Sequence, residues 1–321
     1  MIKTYSFLLF TLLTVACNKS EEKKPIATVE EISIINLYDA FGKSNIELTK
    51  DYGFSALINY KGKIILFDAG NNADILKNNV EALGIDLTSI DFVIGSHAHG
   101  DHLNGLDFLL KVNPNVKIYL PADIHLGAPF KLNVDGKQKN IIDSLPVEMR
   151  YFDGNRSENN EYSTPSGRFW NANIEYISKN TLLENGISLI STKSPNMGYA
   201  GKFPKSDELM FLGLRELSLS ISSENGEIVI VGCSHSTTEQ IVQKTKEFTN
   251  REIELLYGGY HLIPYEKDEI IEKANMLKYE YNVKKVAPAH CSGHLAFKLF
   301  KDIYGSNYLY AGLGEKTIIA K

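Results

Sequence analysis

The sequence predicts an α/β fold of mixed, α+β character, and three observations carry that prediction. The first part of the chain has short apolar runs separated by turn residues, the pattern of strands in hairpins. The later part alternates such runs with stretches of helical periodicity, the pattern of parallel strands with crossover helices. Finally, four apolar runs each end in a turn bearing histidine: Phe92-Val93-Ile94 before His97, Glu227–Val231 before His235, Glu252–Leu256 before His261, and Lys284–Ala287 before His290. Core packing does not ask for histidine at strand ends; a site at a sheet edge does.

The chain begins with a segment that is not part of this fold. Met1–Ala16 holds Lys3 and an apolar run from Phe7 to Ala16, too short to span a bilayer, and reads as a secretory signal. Small residues lead into Cys17 as Thr14-Val15-Ala16-Cys17, which is similar to a bacterial lipobox and implies cleavage before Cys17 and lipid on its thiol. Residues 17–31 are charged, contain Pro25 and have little to bury, so they read as a lipidated tether. The protein is therefore expected to be exported and held at a membrane, in a periplasm or on a cell surface. Residues 32–321 are long enough for one large domain with a proper core. The net charge of −5, without a basic run, disfavours nucleic acid as a partner.

Taken in order, Ile32–Tyr38 reads as a strand, and Phe54–Tyr60 with Lys63–Phe67 as a hairpin across Lys61-Gly62. The near-continuous apolar run at Ile64–Phe67 predicts burial on both faces. Asp68-Ala69-Gly70 ends this strand, and a helix follows over Ala73–Leu83, closed by Gly84. After Phe92–Ile94, Leu103, Leu106, Leu109 and Leu110 mark one face of a helix. Val116–Leu120 is the next strand. Residues 121–173 form a loop-rich insertion in which Phe130, Tyr151, Phe152, Tyr162, Phe169 and Trp170 alternate with Gly, Asn and Ser, as expected of a lid or wall. Its His125 stands alone and is no ligand candidate. Ile174–Ile177 and Ile187–Ser191 read as strands around Asn185-Gly186, and Lys193–Met210 as loop. Leu217–Ser222 and Glu227–Val231 form a hairpin across Asn225-Gly226. Helices over Thr238–Phe248 and Lys267–Tyr279 then separate the last histidine-tipped strands.

The chemistry concentrates in Gly95-Ser96-His97-Ala98-His99-Gly100-Asp101-His102, an H-x-H-x-D-H pattern between a strand and a helix. In an extended loop His97 and His99 point the same way and can grip one ion. Asp101 and His102 turn into the helix and can hold a second. Imidazole with carboxylate suits zinc first, with iron and manganese as rivals. Two such ions side by side are a known hydrolytic device.

This pattern resembles the signature of the metallo-β-lactamase superfamily. Gly232-Cys233-Ser234-His235, Gly258-Gly259-Tyr260-His261-Leu262 and Pro288-Ala289-His290-Cys291-Ser292-Gly293 resemble the branch related to the dihydropterin ribofuranosylaminobenzene-phosphate synthases. The resemblance runs from about Ile32 to the C-terminus and implies a four-layer αββα sandwich. It also implies that His97, His99 and one later histidine hold one divalent metal ion, and that Asp101, His102 and another later histidine hold a second, with His235 and His290 as the later pair. Asp68 is expected to support the ligands from behind, helix capping being its other reading. His261 suits either a ligand or a substrate-facing donor and is placed with substrate binding. Cys233 and Cys291 could be bridged, could ligate zinc, or could be free thiols behind the ligands; the last is the expectation. Many superfamily members bridge their metals with an aspartate after a strand, where this chain has Gly232-Cys233. Asn104 and Ser292 also replace residues common in the pattern.

The implied mechanism is attack by metal-activated water on a small ester, lactone or phosphoester, with Asp101 orienting the nucleophile and moving a proton. The alternatives are a non-haem iron redox enzyme on the same scaffold and a metal-containing binding lipoprotein without turnover. The expected partners are a small-molecule substrate and the membrane reached through the lipid anchor.

Overall fold

The computed structural model describes residues 32–44, 47–128, 130–131, 143–150, 161–162, 168–169, 171–202 and 207–319. The expected signal, Cys17 and the tether lie outside them, as do Tyr151, Phe152 and Trp170 of the insertion.

The chain opens with β1 (Ile32–Tyr38), β2 (Ser55–Tyr60) and β3 (Lys63–Phe67), each antiparallel to the next. Along β3, Ile65 and Phe67 enter one core cluster while Leu66 enters another, so the strand is buried on both faces as its apolar run predicts. Each fully buried side chain of this kind is worth roughly 1.5–3 kcal/mol over an exposed one. α1 (Ala73–Ala82) starts on Asn72, whose side chain accepts the Asp74 and Ile75 amides. Asp68 is therefore not the helix cap.

β4 (Phe92–Ile94) runs parallel to β3. The helix expected after it is two pieces, α2 (Gly100–Leu103) and α3 (Leu106–Val112). Gly105 separates them where the chain presses on the turn after β3: a Cβ there would stand 1.9 Å from the Ala69 carbonyl oxygen. β5 (Lys117–Pro121) and β6 (Ile174–Ile177) continue the sheet in parallel.

The second sheet is built from β7 (Thr181–Glu184), β8 (Ile187–Lys193), β9 (Arg215–Ser222), β10 (Glu227–Val231), β11 (Ile253–Gly259) and β12 (Lys285–Ala289). Asn185-Gly186 joins β7 to β8, and not the Ile174–Ile177 strand to its successor as expected. The Asn180 side chain accepts the Ser191 amide at 2.9 Å and holds β7 beside β8, while β6 pairs with β5. The tract read as loop contains a ribbon, Tyr199–Gly201 with Leu209–Phe211. β10, β11 and β12 are mutually parallel, with α4 (Thr238–Thr249) and α5 (Lys267–Asn275) between them. α5 stops short of Tyr279 because the chain loosens into a π turn over Met276–Glu280. α6 (His294–Tyr304) follows, and β13 (Lys316–Ile319) returns to pair with β1.

The result is a seven-stranded sheet, β13-β1-β2-β3-β4-β5-β6, facing a six-stranded one, β12-β11-β10-β9-β8-β7. Their facing side chains, among them Ile58, Phe67, Leu219, Ile230 and Tyr257, make the central core. α1 and α3 cover the outside of the first sheet through Leu76, Val80, Leu106 and Leu109. α4, α5 and α6 cover the second through Ile241, Ile270 and Phe300. These are the four layers αββα. In the described part of the insertion, Phe169 packs with the outer cluster of the first sheet, and Arg168 is tied to Asn104 and Asp107. Phe169 thus does not wall the histidine cluster. Among the described residues, no helix is long and apolar enough to cross a membrane.

Candidate metal centre

The carboxyl ends of β3, β4, β10, β11 and β12 meet at one edge of the sandwich, and each delivers a polar turn there. A strand must turn sharply to leave a side chain at its tip. Asp68, Ser234, His261 and His290 do so in the left-handed region, with φ of 57°, 60°, 53° and 45°. Such conformations cost of order 1–3 kcal/mol each and persist where the surroundings enforce them. Glycine relieves the closest approach: a Cβ on Gly232 would stand 2.2 Å from Ser96 Oγ.

The side chains of the H-x-H-x-D-H turn fall into two neighbouring groups. One ligand atom each of His97, His99 and His235 lie within 4.8 Å of one another, and so do those of Asp101, His102 and His290. Within the first set His97 Nε2 is 2.9 Å from His99 Nδ1. Within the second, Asp101 Oδ2 is 3.7 Å from His102 Nε2 and 3.4 Å from His290 Nε2. The His97 and His102 rings, 4.3 Å apart between centroids, link the sets. Cys233 Sγ stands 3.1 Å from His102 Nε2 and also groups with His97, so this thiol sits among the ligand atoms and not behind them. His261 falls in neither histidine set. Its ring lies 4.3 Å from that of His235, and it groups with Cys233 and Cys291. Both cysteines are free and buried. His125, as expected, is exposed and lies on a turn away from the cluster.

Asp68 holds this edge together. Its carboxylate accepts the Ser96 amide at 2.7 Å, the Ser96 hydroxyl at 2.7 Å and His102 Nδ1 at 2.6 Å. Ser96 Oγ is in turn 2.8 Å from His97 Nδ1. One buried carboxylate thereby orients a histidine of each set.

Two anchors were not singled out in the sequence. Glu216 on β9 accepts the His235 amide at 2.9 Å, the Ser236 amide at 2.7 Å and the Ser236 hydroxyl at 2.7 Å. Asp39, just after β1, accepts the His290 amide at 3.0 Å and Asn36 Nδ2 at 3.0 Å. Their sequence signal is faint: a lone acidic residue at the end of one apolar run and near the start of another.

Electrostatics favour neutral imidazoles at His97, His99 and His235. Burial first, then the neighbouring imidazoles, lowers the pKa of His97 and His99 and takes that of His235 to about 3. Burial opposes protonation of His290 too, but Asp101, Cys291 and Asp39 together outweigh it and raise that group to about 8. Despite burial, His290 and His102 hold Asp101 below the ordinary carboxylate range. Both ring nitrogens of His235 and both of His290 are buried without a hydrogen-bond partner in the protein. Orphaned buried nitrogens are costly unless something binds them. The donor set of imidazoles, a carboxylate and a thiol suits a divalent transition metal.

Residues 48–169 match the family model of the metallo-β-lactamase superfamily. This segment carries the domain of that superfamily. A curated superfamily relative, 7,8-dihydropterin-6-methyl-4-(β-D-ribofuranosyl)-aminobenzene-5'-phosphate synthase of Methanocaldococcus jannaschii, is 27% identical over 89% of this chain and 97% of its own length. Among solved superfamily structures, a metal-dependent hydrolase aligns with a TM-score of 0.65 at 23% identity, over 90% of this chain and 100% of that one. YhfI from Bacillus subtilis aligns with a TM-score of 0.50 at 13% identity, over 90% and 99%. These likenesses bear on the fold; the superfamily scaffold serves more than one reaction.

Proposed function

We propose that the protein is a metal-dependent hydrolase of a small ester, lactone or phosphoester. The observation that carries this reading is the pair of adjacent donor sets, His97/His99/His235 and Asp101/His102/His290, with orphaned nitrogens on His235 and His290. His97, His99 and His235, and Asp101, His102 and His290, would each hold a divalent ion, which would supply Lewis acidity and lower the pKa of water from 15.7 to about 7. The protein's own groups do the rest. Asp101, kept ionised beside His290, accepts the proton of the attacking water and orients its oxygen. As that oxygen bonds to the carbonyl carbon or phosphorus, the bond to the leaving oxygen breaks, and the proton passes to the leaving group. His261, next to His235, faces the substrate as a donor.

The test is to strip the protein with a chelator, reload it with zinc, manganese or iron, and assay esters, lactones and phosphodiesters. Turnover by the reloaded protein alone supports the reading. Absence of turnover with every metal overturns it, and oxygen uptake by the iron form assigns the protein to redox chemistry instead.

We further propose that Cys17 is lipidated and anchors the exported protein, on the apolar run and small residues before it. Cys17→Ser should release the protein from the membrane fraction or leave the precursor uncleaved. Unchanged mass and partitioning would refute the anchor.

A further inference from the structure

The surroundings of the donor sets are lopsided. Beyond His235 and His261 the wall is polar, with Asn196, Thr237, Glu239 and Lys273. Beyond His290 it is not. There a cavity of about 380 Å³ opens between Phe41, Tyr52, Leu262, Ile263, Leu295 and Phe297. Tyr52 lies against the His290 ring with centroids 4.7 Å apart, and Phe41 against Phe297 at 4.6 Å. None of the described residues lining the cavity is Lys, Arg, Asp or Glu. Ser292, one of its few polar members, is already engaged: its hydroxyl donates to the Ala289 carbonyl and accepts the Tyr260 amide. The rim keeps large apolar side chains in water, with Tyr52, Ile263 and Leu295 exposed by 47%, 59% and 41%. Clustered exposure of this kind marks a binding surface.

We propose that this cavity is the subsite for an uncharged apolar group of the substrate, a short acyl chain or a single aromatic ring. The volume lies at the lower end of small-molecule sites, of about 300–1,000 Å³. An anionic group placed there would lose its hydration among mostly apolar side chains and meet no Lys or Arg among the described lining residues. The bond to be cut then lies over the donor sets, with the apolar group on the His290 side and the polar remainder toward His235 and His261. This selects esters and lactones over phosphoesters. The proposal rests on the hydrolase reading for the bond cut, and on the cavity alone for the group recognised.

The test uses the metal-loaded protein with 4-nitrophenyl esters from acetate to octanoate. Rim variants Ile263→Asp and Leu295→Asp alter exposed positions and leave the core intact. The expected result is a kcat/KM that climbs about fourfold per methylene until the cavity fills, carried by KM. Both variants should flatten that climb while metal content stays unchanged. Binding of the uncharged probe N-phenyl-1-naphthylamine, read by fluorescence, gives a readout independent of turnover and should weaken in both variants. Turnover that is indifferent to chain length, or that favours anionic phosphodiesters, overturns the subsite and leaves the hydrolase reading standing. Probe binding that the rim variants weaken, with no ester, lactone or phosphodiester turned over, supports the subsite and sinks the hydrolase reading. Probe binding unchanged by the variants overturns the subsite.

Discussion

His102 Nδ1 and Asp68 Oδ2 stand 2.6 Å apart, with both side chains fully shut off from solvent. The contact leaves His102 Nε2 to face Asp101 and Cys233. The carboxylate at the end of β3 thus determines which nitrogen of a β4-turn histidine is offered to a ligand. Asp68→Asn keeps the size but turns an amide toward donors on Ser96 and His102. Metal affinity should fall about 10- to 100-fold, as it does when such supporting groups are lost. Chelator competition measures this, and an unchanged dissociation constant would show that Asp68 does not orient the ligand.

The two donor sets should empty separately. In the double variant His97→Ala, His99→Ala, the first set retains only His235, while Asp101, His102 and His290 are untouched. Elemental analysis should find about one equivalent less metal than in the wild type, as two metals in adjacent sites require. Activity should disappear while far-UV circular dichroism is preserved. Full metal content in this variant would refute the ligand assignment.

Glu216 is expected to matter more than its distance in sequence from any histidine suggests. It receives three hydrogen bonds from His235 and Ser236 in a fully buried position, and burial pushes its carboxyl pKa up. Glu216→Gln must turn an amide donor toward those donors. The loss should be about 2–3 kcal/mol in denaturant unfolding, the usual size for hydrogen bonds to a charged group. The His235 turn should loosen with it, so metal leaves the first set more readily than the second.

Asp39 gives a pH signature. Burial raises its pKa to about 6, against the pull of His290 and of the hydrogen bonds from Asn36, His290 and Ala40. The unfolded value is near 3.9, so between about pH 4 and 6 the folded state binds the proton more tightly. This group's contribution to stability is therefore greatest below about pH 4 and declines as pH rises through 6. In the chelated protein, Asp39→Asn removes that decline. Urea midpoints should show the variant gaining on the wild type by on the order of 2 kcal/mol between pH 4 and pH 7. A gap that stays constant with pH would show that Asp39 is not titrating in this window.

Much of the site was legible before folding, because its signals are local. Strand alternation, the Lys61-Gly62 and Asn225-Gly226 turns, and the spacing of His97, His99, Asp101 and His102 each depend on a few neighbouring residues. That four apolar strands end in histidine is readable for the same reason. Where local signals were weak the sequence misled: Asn185-Gly186 marks a hairpin but does not say which upstream strand joins it, and Asn180 decides that through a contact with Ser191. Tertiary structure alone decided the rest. Asp39 looks like an ordinary acidic residue until the sheets face each other, when it meets the backbone of the His290 turn; Glu216 meets the His235 turn only once β9 and β10 pair. Cys233 moves among the ligand atoms only because β10 sits opposite β4. The apolar cavity joins Phe41 and Tyr52, between β1 and β2, to Ile263 after β11 and to Leu295 and Phe297 of α6. A sequence specifies which faces are apolar; a cavity is the space left between faces, and it exists only once they are packed.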